Sequence, residues 1–334
     1  MDVATAELVF KKYREGLLKI DLAKSGSRQL DFQSLLFQTI DTRLSFAERL
    51  SLRSICESSA QVLSTTRADL FGKASIFLRN GQAEIKRIEG CAECWLLGTS
   101  ILESASAYME FRQGRFEEAR RRTLVSMDAD LALEQEHAYG LLEMHRIQSV
   151  NNLMRIALRE GDAERALALA GRIVAYLDGR AAGLPVHHSW LSKTLYEVPK
   201  VLRRAMMAQV ANEAVLALHA LPNSNKNWQH FYEPLEGQDT ITKCSSPHPR
   251  ILQWVHAKDA FARERWDLYL DQISLFLPGG REDIAPIWYS CVIDFLEFCR
   301  LIDTHLSRYV RSAILRDSAK WPSVPVALRS LLCA

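Results

Sequence analysis

An all-helical fold is what the sequence predicts, and three observations predict it. Apolar residues recur at three- and four-residue intervals along almost the whole chain, the spacing of a helix face. The dipeptides that close β-hairpins, Asn80-Gly81 and Asp178-Gly179, are not flanked by paired alternating runs. Glycines 114 and 161 each cut a helical pattern in two, as a left-handed helix stop does.

The elements follow in chain order. Residues 8–78 offer three or four helices, separated by polar stretches at 24–29 and 65–68, with a structural role or, as the alternative, a partner-facing surface. Residues 107–122 read as a helix, a break at Gly114, and a second helix opened by Glu117 and Glu118. Those acids complement the positive end of the helix dipole. Residues 155–177 repeat the arrangement: Gly161 is the stop, Asp162 the N-cap, and Glu164 lies in the first turn. Small residues Ala163, Ala166 and Ala170 let the second helix come close to the first. Two stretches then break the helical texture. Residues 178–200 carry a Gly/Pro turn followed by His187, His188 and Trp190. Residues 221–250 hold four prolines, with Trp228, His230, Phe231 and Tyr232 in the first half. A loop that long is uncommon in a compact chain, so it is either a clamp on the fold or a lid over a groove.

The segments Gly114-Arg115-Phe116-Glu117-Glu118-Ala119 and Gly161-Asp162-Ala163-Glu164-Arg165-Ala166 resemble the mid-repeat turn of tetratricopeptide repeats. Ala107 and Leu153 fall where that repeat puts small and apolar residues of its first helix, and residues 257–276 resemble a third copy with Trp266 at the aromatic position. The resemblance covers less than half of the chain. It implies an α-solenoid of stacked antiparallel hairpins over residues 81–334, one continuous domain, with residues 1–80 a helical segment packed on it. No hairpin of this kind buries its apolar face alone, so neighbours must stack. Glycines 114 and 161 lie 47 residues apart, against a family period of about 34. The first helix of the second hairpin is therefore expected to be long, spanning 131–159.

Composition bounds the work such a chain can do. Its 334 residues are 48% apolar, too many for a disordered chain, and 42 basic against 40 acidic residues leave a net charge of +2. That field is too weak to call for nucleic acid or a membrane surface. No apolar run approaches the roughly 18 residues of a membrane span. The first residues lack the basic, apolar, small order of a secretory leader, which leaves a cytoplasmic protein as the expectation. Seven scattered cysteines read as reduced thiols. Cys91 and Cys94 form one CxxC without the second ligand pair of a structural zinc site, and read as apolar helix residues. Neither a nucleophile elbow nor a phosphate-cradling glycine loop occurs. No cofactor is expected.

Within 131–159, Leu133, Gly140, Met144, Ile147, Met154 and Leu158 follow helical spacing and form the expected buried stripe. Beside it run Glu134, His137, Leu141, His145, Gln148, Asn152, Arg155 and Arg159, polar but for one. The resemblance implies that this first helix lines a concave surface and holds an extended peptide. Amides that both donate and accept, and a guanidinium that grips carboxylates, suit that task. The expectation is a non-catalytic scaffold or adaptor whose partner is a protein or peptide segment, with self-association left open. A solvated face is the plain alternative. Two rivals stand beside it. Glu134 and His137 make an E-x-x-H pair, the ligand spacing of di-iron helical bundles, to which Glu103 or Glu110 would add a carboxylate. A small-molecule regulator would instead use residues 228–232 as a roof. His187 and His188, with His230 and His248, would need loop geometry to share a zinc ion. Arg112, Arg115, Arg120, Arg121 and Arg122 are the strongest basic cluster, either an anion site or a solvated face that Glu117 and Glu118 partly neutralise.

Overall fold

The computed structural model describes residues 3–19, 32–186, 190, 195, 197–221, 224–236, 246–321 and 323–332. Among these there are fifteen α-helices, three short 3₁₀ segments and no strand. The polar stretch at 24–29 and the pair His187-His188 lie outside the described residues. The chain divides into two compact units, one made of Gln29–Leu169 with Ala182–Arg203, the other of Met1–Arg28, Ala170–Ala181 and Arg204–Ala334.

The first of these, the hairpin unit, contains α2 (Phe32–Arg43), α3 (Phe46–Arg67), α4 (Phe71–Lys86), α5 (Ala92–Arg112), α6 (Phe116–His137), α7 (Leu142–Glu160) and the first half of α8 (Ala163–Leu177). Ser45 and Glu48 open α3 with a reciprocal cap: Glu48 Oε2 accepts from the Ser45 N–H at 2.7 Å and Ser45 Oγ from the Glu48 N–H at 3.4 Å. Cys91 opens α5, its Sγ accepting from the Cys94 N–H at 3.3 Å. Both thiols are free, and burial pushes that of Cys94 up to about 11, which keeps it neutral and inert. Helix α3 packs on α4 and α5, α5 on α6, and α6 on α7. Leu36, Ile40 and Leu44, one turn apart along and just beyond α2, enter a core with Leu52, Cys94, Leu97, Leu133, Tyr139 and Leu142. Each such leucine contributes about 1.5–3 kcal/mol by burial. The boundary expected near residue 80 falls inside α4. Because α3 and α4 pair with each other and with α5, the chain has no seam there.

Four turns between helices share one geometry. A residue with positive φ stands at Asp69 (57°), Gly114 (75°), Gly161 (83°) and Glu264 (55°), and the next helix starts two residues later. In each, the left-handed residue's N–H reaches the carbonyl three residues back, and the following N–H reaches the one five back; for Gly114 and Arg115 these are 3.1 and 3.0 Å. That is the two-bond helix stop that left-handed residues allow. The same geometry at residues 264–265 ends the helix of the expected third hairpin, where glutamate takes the glycine position. Asp162 caps α8 as expected, its Oδ1 accepting from the Arg165 N–H at 3.1 Å.

The long helix over 131–159 is not formed. Helix α6 ends at His137, and Ala138 adopts φ 56°. The Leu133 carbonyl accepts from both Ala138 and Tyr139, and α7 begins at Leu142. The break is fixed at a distance: the Tyr139 hydroxyl donates to Glu93 Oε1 at 2.6 Å, and Tyr139 is buried with Leu133 and Leu142. The spacing of 47 between the two glycines thus holds two helices of 22 and 19 residues.

The other unit contains α1 (Val3–Leu18), the second half of α8, most of α9 (Lys200–Ala220), α10 (Ser224–Tyr232), α11 (Pro249–Ala262), α12 (Trp266–Phe276), α13 (Ala285–Ile302), α14 (His305–Ser318) and α15 (Val326–Leu332). Within the expected loop over 221–250, Ser224–Tyr232 is α-helical and Glu233–Leu235 a 3₁₀ turn. Trp228 and Phe231 are buried against each other and against Trp254, with ring centroids 5.3–5.5 Å apart. They therefore act as core and do not roof a groove. Gly171 makes that packing feasible, since a Cβ there would meet the Phe231 carbonyl. Among the described residues no helix is long and apolar enough to cross a membrane.

Candidate functional site

Helix α7 is buried on most of its circumference, including the charged or polar side chains of Glu143, Arg146 and Asn151. The residues of α7 that escape burial are His145, Gln148, Asn152, Arg155, Leu158, Arg159 and Glu160. Five of the seven polar stripe residues read from the sequence are therefore in one line along one side of α7. Asn152 Oδ1 accepts from Arg155 Nη1 at 2.8 Å and from Gln148 Nε2 at 3.4 Å, which orients the amide and the guanidinium. The Arg159 guanidinium lies 6.0 Å from the Phe111 ring. A small hollow of about 50 Å³ lies between Asn152, Arg155 and the α5 residues Tyr108 and Phe111.

The other two polar stripe residues are not on this line. Glu134 sits on α6 and is paired with Arg146, Nε to Oε1 at 2.7 Å and Nη2 to Oε2 at 2.6 Å. Its side chain is 4% exposed and that of Arg146 is 0% exposed, so neither faces a ligand. Burial pushes the Glu134 carboxyl up to about 7; Arg146 opposes the shift, and Glu143 and Asp130 add to it. The Arg146 guanidinium also lies 4.4 Å from the Trp190 ring. His137, the last residue of α6, places Nδ1 3.5 Å from Glu93 Oε2, and Arg43 shares that carboxylate at 2.7 Å. Glu134 and His137 thus serve different partners, Glu103 and Glu110 are taken by Arg122 and Arg115, and among the described residues no three metal-binding side chains converge. Within α6 the Glu134 carboxylate is taken by Arg146 of α7, while the His137 ring lies against Glu93 of α5.

His145 joins the stripe to a second feature. Its Nδ1–H donates to Asp130 Oδ2 at 2.7 Å, and the Ser100 hydroxyl donates to Asp130 Oδ1 at 2.6 Å. Asp130 is fully buried on α6. Ser126 continues the network to the Ser100 carbonyl at 2.9 Å. Burial works against a charged His145 ring, yet Asp130 outweighs it and raises the pKa above its ordinary value. Ser100 donates to the carboxylate and not to the ring, so the three groups do not form a nucleophile–base pair. The ring lies 6.3 Å from that of Phe32 and lines a cleft of about 510 Å³. Helix α2, the first helices of three hairpins (α3 and α5 along their length, α7 at its start), and no second helix supply the cleft's walls.

The five arginines at 112–122 are all paired with carboxylates: Arg112 with Asp69, Arg115 with Glu110, Arg120 with Glu160, Arg121 with Glu118, and Arg122 with Glu103. They form a neutralised face. Sequence reasoning missed Asp130, Ser100 and Arg146. Arg146 left a signal, a charge beside Ile147 and Val150 on an apolar face; the other two left none, because their partners sit one helix away.

Compared with protein-family models, with curated proteins and with solved structures, the chain matches none.

Proposed function

We propose that the hairpin unit is a solenoid of tetratricopeptide-like hairpins that holds a peptide or protein segment along α7, without catalysis. The observation that carries this is the line His145, Gln148, Asn152, Arg155 and Arg159, polar on a helix that is otherwise buried up to its last turn, where Leu158 and Glu160 are also uncovered. Three turns of one geometry at positions 69, 114 and 161, spaced 45 and 47 residues, support a repeated unit. That spacing is nearer the roughly 40–47 residues of long two-helix solenoid repeats than the roughly 34 of tetratricopeptide repeats. Asn152, held by Gln148 and Arg155, offers its N–H groups to a backbone carbonyl, while Arg155 and Arg159 suit an acidic side chain. Random-peptide selection on the full chain tests this. Enriched peptides should carry an acidic residue and lose binding to Asn152→Ala/Arg155→Ala, whose melting temperature stays unchanged. Equal enrichment on that double variant removes the proposal.

A further inference from the structure

We propose that the cleft bounded by α2, α3, α5 and the start of α7 is a binding site for a small apolar molecule with one carboxylate, which meets Nε2–H of His145. Its volume of about 510 Å³ falls within the roughly 300–1,000 Å³ of small-molecule sites. Phe32, Leu36, Leu63, Leu97 and Ile101 give it an apolar wall suited to a hydrocarbon body. His145 is the polar group built into that wall. Asp130, fully buried and held by Ser100, accepts a hydrogen bond from Nδ1–H, which fixes the ring and leaves Nε2 aimed away from the carboxylate. Among the described residues Nε2 meets no hydrogen-bond partner, while the ring borders the cleft. The side chain is 22% exposed, so Nε2 is within reach of a ligand that enters the cleft.

The surrounding charges select the partner's sign. From α2 the cleft receives Phe32, Gln33, Leu36 and Phe37, and from α5 it receives no charged residue. On α3, Arg53 and Glu57 pair at 3.3 Å on the rim, where they are 77% and 70% exposed and contribute little. Cys56 stays a neutral thiol, since burial pushes it up to about 11. Asp130 faces the opposite nitrogen and favours the protonated ring. The cleft therefore presents one N–H donor, on a ring whose protonated form the Asp130 carboxylate at 2.7 Å favours, in a wall whose charged lining residues are confined to the Arg53–Glu57 pair on the rim. That complements a single carboxylate, and charge-assisted hydrogen bonds contribute about 1.5–3 kcal/mol. The inference does not rest on peptide binding along α7.

Calorimetric titration of the full chain at pH 7 with decanoate and with 1-decanol tests it. Decanoate should bind one to one, about ten-fold or more tighter than 1-decanol. His145→Gln should bring decanoate down to the affinity of 1-decanol and leave 1-decanol unchanged. Ala60→Trp, an exposed position on the cleft, should fill the space and abolish both while the circular dichroism spectrum is retained. Asn152→Ala/Arg155→Ala should leave decanoate binding intact, which separates this site from the peptide groove. No saturable decanoate binding, undiminished binding to His145→Gln, or undiminished binding to folded Ala60→Trp would each overturn the assignment.

Discussion

Arg146 and Glu134 meet in two parallel hydrogen bonds of 2.7 and 2.6 Å, with both side chains buried, on helices separated by only the four residues 138–141. The pair locks α6 to α7 and holds the start of α7 where His145 reaches Asp130. A buried pair of this kind is costly to break from one side, because the remaining charge stays buried.

Arg146→Met should therefore destabilise the protein by about 3–5 kcal/mol at pH 8. The loss should shrink at pH 5, where Glu134 takes up a proton and no bare charge remains. Urea denaturation at the two pH values measures the difference, and an equal loss at both would contradict the pairing.

Glu134 also imposes a pH dependence. Its folded pKa, about 7, lies above the ordinary carboxylate value of 4.5, so the folded state holds the extra proton between those limits. Stability from this group is full below about 4.5 and is lost as pH rises through 7. His219 in the other unit acts in the opposite sense, since burial lowers it to about 4 and its contribution is lost as pH falls through that value. The comparison with Glu134→Gln isolates the first effect. Relative to that variant, the wild type should lose up to about 3 kcal/mol between pH 4.5 and 7.

Asp130→Asn should lower the His145 pKa below its ordinary value of 6.5. Burial would then act on the ring without the opposing carboxylate. Titration of the His145 ring resonances by NMR reads this directly, and an unchanged midpoint would place the cause of the raised pKa elsewhere.

The shared turn geometry predicts opposite signs at two of its positions. A Cβ on Gly114 would meet nothing within 4 Å, so Gly114→Ala tests backbone strain alone, at a cost of about 1–2 kcal/mol. Glu264 already bears that strain at φ 55°, and Glu264→Gly should stabilise by up to about 1 kcal/mol. Chemical denaturation of both variants decides it.

Signals carried within one helix were legible. The stops at Gly114 and Gly161, the cap at Asp162, and the alignment of His145, Gln148, Asn152, Arg155 and Arg159 depend on residues a few positions apart, which is the range over which backbone geometry and 3.6-residue spacing act. The break at 138–141 was not legible, because the periodicity runs on through it and Ala138 takes a left-handed conformation that glycine would have announced.

The sequence by itself determined an all-helical chain, the hairpin turns at Gly114 and Gly161, and which side of α7 faces out, since each follows from local backbone chemistry. Only the tertiary structure decided that Tyr139 anchors to Glu93, that Arg146 takes Glu134 out of the stripe, and that Asp130 and Ser100 fix His145 at an apolar cleft. Those pairings join residues on different helices, and a buried charge chooses its partner by distance in space, which spacing along the chain does not encode.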